Sequence, residues 1–175
     1  MTTKTEQDAV ELLKADHKKV KELFDDFDEA EETSEKQSIA EEAMKELRVH
    51  AIVEEEIFYP AVRKALGKEE EDQMNEAEEE HRVAKTIIEE LAREDAEEPH
   101  FAAKFTVLAE NIRHHIKEEE SEMFKEAKKA KGLDLETLGE KMLARKEELM
   151  SDDAELEAAE QKSRVKPYQE LSEAK

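Results

Sequence analysis

Two segments of the chain repeat one arrangement of histidine and glutamate. His50 stands four residues before Glu54, and His115 stands four residues before Glu119. On an α-helix that interval puts both side chains on one face, a turn apart. A single histidine, His17 or His81, precedes each pair by 33 or 34 residues. Superposing the halves moves His17 onto His81 by 64 positions, and His50 onto His115 and Glu54 onto Glu119 by 65. Leu47-Arg48-Val49-His50 answers Ile112-Arg113-His114-His115, Phe58-Tyr59 answers Met123-Phe124, and Gly67 and Gly132 each close a half. An internal duplication of a helical hairpin accounts for all of these matches.

Apolar residues around the motifs recur at intervals of three and four, the helical period. From about Thr5 to Glu31 the stripe is Val10, Leu13, His17, Val20, Phe24 and Phe27. Ser34 with Gln37 has the form of a capping box and starts a second helix, which runs to Leu66 and stops at Gly67. Its inward stripe includes Leu47, His50, Glu54 and Ile57/Phe58, and Pro60 is expected to bend it just past Glu54. A third helix, about Lys68 to Asp95, carries Met74, Ala77, His81, Ala84, Ile88 and Leu91 on one face. Pro99 is placed to open a fourth, which continues to about Lys131 with Phe105, Leu108, Ile112, His115 and Glu119 inward. The expectation is an all-α, up-down-up-down four-helix bundle over residues 1–132. Residues 133–175 should add one helix, capped by Asp134 and lying across the bundle from Leu135 to Met150. A flexible, acidic, polar tail of partial helix or disorder is expected from Ser151 onward.

An exposed His–Glu pair one turn apart is ordinarily a small helix-stabilising contact, about 0.2–0.5 kcal/mol. These pairs lie on apolar stripes instead, where an unpartnered carboxylate costs several kcal/mol. A dinuclear metal centre removes that cost, with His17, His50, His81, His115, Glu54 and Glu119 as its nitrogen and oxygen donors. Such a set suits iron, manganese or zinc. The chain has no cysteine, so thiolate ligands and iron–sulfur clusters are excluded. His114 falls on a different face from His115, and His100 lies a long way up the fourth helix; neither belongs to the set. A ferritin-like centre would need Glu-x-x-His on two helices, and only Glu78 with His81 fits.

Fifty acidic residues against twenty-eight basic give a formal charge of −22, which repels nucleic acid and anionic membranes. No apolar signal core opens the chain and no stretch approaches a membrane span. The expectation is a cytoplasmic monomer whose partner is a small molecule. A metal-free acidic helical bundle serving as an interaction scaffold is the alternative that composition alone leaves open.

Asp16-His17, the run from His50 to Pro60, Glu80-His81-Arg82 and His115-Ile116-Lys117-Glu118-Glu119-Glu120 resemble the haemerythrin-like HHE cation-binding domains, across roughly Val10 to Ala130. The resemblance implies two non-haem iron ions joined by an oxo or hydroxo bridge, with the four histidines as terminal ligands and Glu54 and Glu119 as bridges. Glu55 and Glu120 would support the ligands or lie at the surface. It also implies binding of dioxygen, peroxide or nitric oxide, in settings of iron handling or oxidative stress; whether peroxide is also consumed stays open. Oxygen-carrying members have a fifth histidine, in a His-x-x-x-His pair on the third helix. Here the positions four before and after His81 are Ala77 and Lys85, so one iron is short of a ligand unless Glu78 or water supplies it. By octahedral counting about two of twelve positions stay open.

Overall fold

Asp8 starts the first helix by accepting from the Glu11 N–H at 2.9 Å, while the Glu11 carboxylate accepts from the Asp8 N–H at 3.2 Å. This reciprocal cap satisfies two backbone donors that the first turn would otherwise leave bare. The computed structural model describes residues 7–173, with side chains from 7 to 163 except Glu69. Helix α1 spans Ala9–Glu29, so the expected start near Thr5 falls outside the described residues. Helix α2, Thr33–Val53, runs through a π-helical turn, Glu54–Phe58, into α3, Tyr59–Leu66. Gly67 ends it at φ +69°, a conformation that favours glycine. A short 3-10 turn, Gly67–Glu70, leads to α4, Glu71–Leu91. Helix α5, Phe101–Glu118, passes through a second π-helical turn, Glu119–Met123, into α6, Phe124–Lys129. Helix α7 spans Leu135–Ser151, capped by Asp134 as expected, and α8 spans Asp153–Glu173.

Three local expectations are corrected. The Ser34–Gln37 capping box does not form: Glu32 is the N-cap of α2 and makes no side-chain cap bond. Gln37 is used elsewhere, its side-chain oxygen accepting from the Ala96 N–H at 2.8 Å in the α4–α5 connection. Pro99 lies in a turn ahead of α5 and does not open the helix. The backbone irregularity attributed to Pro60 begins earlier, at Glu54, and recurs at Glu119 in the half where Lys125 occupies the matching position. Proline is therefore not its cause.

The bundle has the expected all-α architecture, with α1 packed along α2 and α4 along α5. Its interior divides into two apolar clusters. One gathers Phe24, Phe27, Phe101, Phe105 and Leu108; the other gathers Ile52, Phe58, Met74, Met123 and Phe124. Helix α7 lies against α1 and α2, adding Leu138, Met142 and Leu149 to the second cluster. Of the partial helix or disorder expected from Ser151 onward, the structure has helix: α8 seats Leu156 and Ala159 on the same cluster. Glu160 of α8 receives a paired hydrogen bond from Arg48 of α2, at 2.8 and 2.7 Å. Two small apolar contacts and one fork-to-fork ion pair form a signal that hydropathy periodicity does not register. Among the described residues no helix is long and apolar enough to cross a membrane.

Gly139 shows how closely α7 approaches. A Cβ built there would lie 2.6 Å from the Gln7 carbonyl oxygen and 2.8 Å from the Ala9 nitrogen, backbone atoms that cannot rotate aside. Gly139→Ala is expected to destabilise the fold by about 1–3 kcal/mol through overpacking. Thermal melting checks this, at about 2–4 °C lost per kcal/mol for a chain of this size.

Candidate metal centre

Between the two apolar clusters lies one polar layer, built from the middle of each bundle helix. His17 of α1, His50 of α2, His81 of α4 and His115 of α5 are buried, with Glu54 and Glu119 only 0% and 1% exposed. The structure thus brings all six sequence-derived residues together. Glu54 faces two histidines, with its oxygens 3.2 Å from His50 Nε2 and 3.2 Å from His81 Nε2. Glu119 Oε2 lies 3.2 Å from His17 Nε2 and 3.5 Å from His115 Nε2. Each carboxylate therefore stands between a histidine of its own helix and one from another.

Every imidazole is held from behind by a second carboxylate. Nδ1 of His17 meets Glu120 at 2.9 Å, His50 meets Asp16 at 3.2 Å, His81 meets Glu55 at 3.0 Å and His115 meets Glu80 at 2.7 Å. An Nδ1–H donating outward leaves the Nε2 lone pair directed into the layer, the tautomer a metal requires. The four supporting acids obey the duplication as well, Asp16 matching Glu80 and Glu55 matching Glu120. Each sits beside a site residue in sequence but serves a histidine of a neighbouring helix. The expectation for Glu55 and Glu120 leaned the right way, and the 64- and 65-residue shift was the signal that would have added Asp16 and Glu80.

The electrostatics are those of a cation-seeking cavity. Burial alone would lower the pKa of His81, but Glu54 and Glu55 outweigh it and push the group up to about 9. His50 is likewise raised, burial being overcome by Glu54 and Asp16. Burial would raise Glu55, yet His81 and Lys85 bring it down to about 2. Glu54 is held well below the usual carboxylate range against its own burial, by His50 and then His81. Without a metal, protons stand in for positive charge.

Tyr59 is the functional residue that sequence reasoning missed. Its hydroxyl donates to Glu119 Oε1 at 2.7 Å and lies 3.1 Å from Glu54 Oε2 and 3.4 Å from His81 Nε2. Burial, reinforced by the charges of Glu119 and Glu54, raises its pKa. Five residues after Glu54, an α-helix would aim Tyr59 about 140° away from it. The π-helical turn removes that offset, with the Tyr59 N–H bonded back to the Glu54 carbonyl. Phe124 takes the matching place after Glu119 and stacks on His17 at 5.6 Å, as Tyr59 stacks on His81 at 5.6 Å. Glu78, considered as a replacement ligand, turns outward to Arg63 at 3.2 Å. His114 is exposed and pairs with Glu118 at 3.1 Å, as expected.

The donors fit a pair of ions. His17 Nε2 faces Glu119 Oε2 and His50 Nε2 faces Glu54 Oε1, each pair buried at 3.2 Å but out of hydrogen-bond alignment, an arrangement rare in protein interiors. His81 Nε2 and His115 Nε2 face each other at 3.0 Å, which two lone pairs tolerate only with a proton or a cation between or beside them. Among the described residues three groups could each hold an ion: two buried in the layer, His17, His50, Glu54 and Glu119, and Glu54, His81 and His115, and a more exposed one of Glu80, His114 and Glu118. A cavity of about 20 Å³ adjoins the histidines, walled on its other sides by Val20, Leu47, Ala84, Ile88, Ile112 and Ile116. It has room for one water-sized molecule.

Comparison with known proteins agrees with this geometry. A crystal structure of a hemerythrin HHE cation binding domain-containing protein from Mycobacterium kansasii superposes with a TM-score of 0.69 at 28% identity, covering 91% of this chain and 94% of that one. A curated relative from Nostoc sp. (strain PCC 7120 / SAG 25.82 / UTEX 2576), named DNA nickase, is 28% identical over 121 residues. That alignment takes in 69% of this chain but 34% of the relative, so the chain spans about a third of that protein's length. The family model for the hemerythrin HHE cation binding domain matches residues 8–127, and the chain belongs to that family.

Proposed function

We propose that the polar layer holds two iron ions and that the pair binds dioxygen or a related small oxidant such as peroxide or nitric oxide. The observation that carries this reading is the convergence of four Nε2 atoms on two buried carboxylates at 3.2 to 3.5 Å. His17 and His50 would hold one ion, His81 and His115 the other, and Glu54 and Glu119 would bridge them. Tyr59 offers one further oxygen on the His81 side, where the sequence predicted a shortfall. When bound, two ferrous ions supply up to two electrons to an oxidant.

The chain's own groups set what reaches the ions and how. Asp16, Glu55, Glu80 and Glu120 orient the imidazoles and strengthen their basicity. The isoleucine, leucine and valine walls exclude bulk water, and a cavity of about 20 Å³ restricts what reaches the ions to small molecules. The tyrosine hydroxyl is the one proton donor facing both bridging carboxylates. DNA cleavage, named for the Nostoc relative, is not carried over, since a charge of −22 opposes a polyanion.

Anaerobic loading with ferrous iron followed by desalting should leave close to two irons per chain, and His50→Ala or His115→Ala should reduce that number. A count near zero in a folded wild-type chain would overturn the reading in favour of a metal-free scaffold. Tyr59→Phe should keep the iron but remove any visible phenolate-to-ferric absorption, which optical spectra of the oxidised protein would show. Oxygen release from peroxide over many turnovers would make the protein a catalyst, and a stable adduct without turnover a carrier or sensor.

Stability should fall toward alkaline pH without metal and hold with it. His81, raised from 6.5 to about 9, stabilises the metal-free fold fully below 6.5 and loses that contribution as pH rises through about 9. Glu55, lowered from 4.5 to about 2, contributes above 4.5 and loses it only as pH falls through about 2. The metal-free protein should therefore melt lower at about pH 9 than at about pH 6. The iron-loaded form should not, because the metal replaces the protons. Paired melting curves of the two forms check this.

A further inference from the structure

A groove of about 590 Å³ lies between α2, α4 and α8, and Arg48, Lys85 and Ile88 line both this groove and the inner cavity beside the histidines. These three side chains are the only layer the two spaces share as a wall. Arg48 keeps 29% of its side chain exposed and Lys85 14%, so each reaches from the buried site toward solvent. Both are long and unbranched, able to swing without moving the backbone, whereas the rest of the inner cavity is walled by packed aliphatic side chains, the histidine layer and Asp16, which is tied to Lys146.

Helix α8 holds both of them. Glu160 takes Arg48 in a paired hydrogen bond at 2.8 and 2.7 Å. Ser163 accepts from Lys85 Nζ at 2.9 Å and donates to Glu55. Lys85 in turn grips both oxygens of Glu55, at 2.7 and 2.7 Å. Glu160 and Ser163 do not line the inner cavity. Glu160 acts on its wall through Arg48, whereas Ser163 acts through Lys85 and also donates to Glu55, the acid behind His81.

The duplication supplies an internal control. Arg113 answers Arg48 in the second half, yet it pairs with Asp25 at 2.9 Å, lies over the Phe24 ring at 5.3 Å and does not line the cavity. Equivalent arginines thus differ in one respect that bears on access: the copy facing α8 stands at the cavity wall.

We infer that the small oxidant enters through the groove between α2, α4 and α8, and that Arg48 and Lys85 form its gate, latched by Glu160 and Ser163. This rests on the proposed di-iron reading. A latch that touches neither ion nor ligand changes how often the path opens and leaves the two end states alone. Releasing it should speed entry and exit equally.

The test uses the full-length, iron-loaded, oxidised protein and azide as the probe, with iron counted on every sample. Glu160→Gln and Glu160→Ala should raise the azide association and dissociation rates together by about tenfold, within the one to three decades that on-rates span among related variants. The dissociation constant and the spectrum of the azide adduct should stay as in the wild type, and Arg113→Ala should change neither rate. Unchanged rates in both latch variants would overturn the gate. So would a shift in the dissociation constant carried by one rate alone, or an equal acceleration in Arg113→Ala, which would mean general loosening. These failures occur with two irons bound and leave the di-iron reading standing; an iron count near zero in the wild type would remove both.

Discussion

Two carboxylates buried at the centre of the bundle govern the rest of the structure. Glu54 and Glu119 have almost no contact with solvent. A charge placed there is tolerable only with compensating charge and hydrogen bonds around it. The four histidines supply that compensation, and four more acids then supply the partners the histidines need on their far side. Lys85 and Lys146 close the series by pairing with Glu55 and Asp16. The polar layer is thus concentric, and it splits what would be one continuous core into an upper and a lower apolar cluster. Helices α7 and α8 contribute to its outermost ring through Lys146 and Ser163.

The innermost set was legible in the sequence because it obeys the α-helical period. Histidine and glutamate four apart on an apolar stripe, repeated at a constant offset, predict a shared face before any coordinates are known. Tyr59 escaped because the turn holding it does not obey that period. Gly139 escaped because its constraint is a close approach of two helices far apart in sequence, which no local pattern encodes. The Ser34–Gln37 motif misled for a related reason: Gln37 had a better partner in the Ala96 N–H. The same motif at Asp8 and Glu11 does form, where no tertiary contact competes for either side chain.

The duplicated hairpins have diverged at the points that decide chemistry. Tyr59 and Phe124 occupy matching positions and stack on matching histidines, yet only one carries a hydroxyl. Arg48 and Arg113 also match, yet only one borders the cavity. A symmetric scaffold would offer two equivalent halves to an incoming molecule. Here the extra oxygen, the cavity wall of Arg48 and Lys85, and the contacts from α8 all fall in ways that make the two halves of the layer chemically unlike.

The π-helical turns also have a bearing on how the chain tolerates length changes. Each holds one residue more than an α-helical turn would, so the helix before it and the helix after it are read in different frames. Loss of a single residue from Glu54–Phe58 would let the segment relax into regular α-helix, restoring the commoner hydrogen-bond pattern. Tyr59, then four residues after Glu54, would stay about 40° from it round the helix, on the same face, while His50 and Glu54 kept their relation. Glu56, within that turn, is held from outside by Arg145 of α7 at 2.8 Å. A deletion that ordinarily breaks a helix would here make one more regular, and its cost would fall on the contacts of the residue removed, such as those of Glu55 to His81 and Lys85.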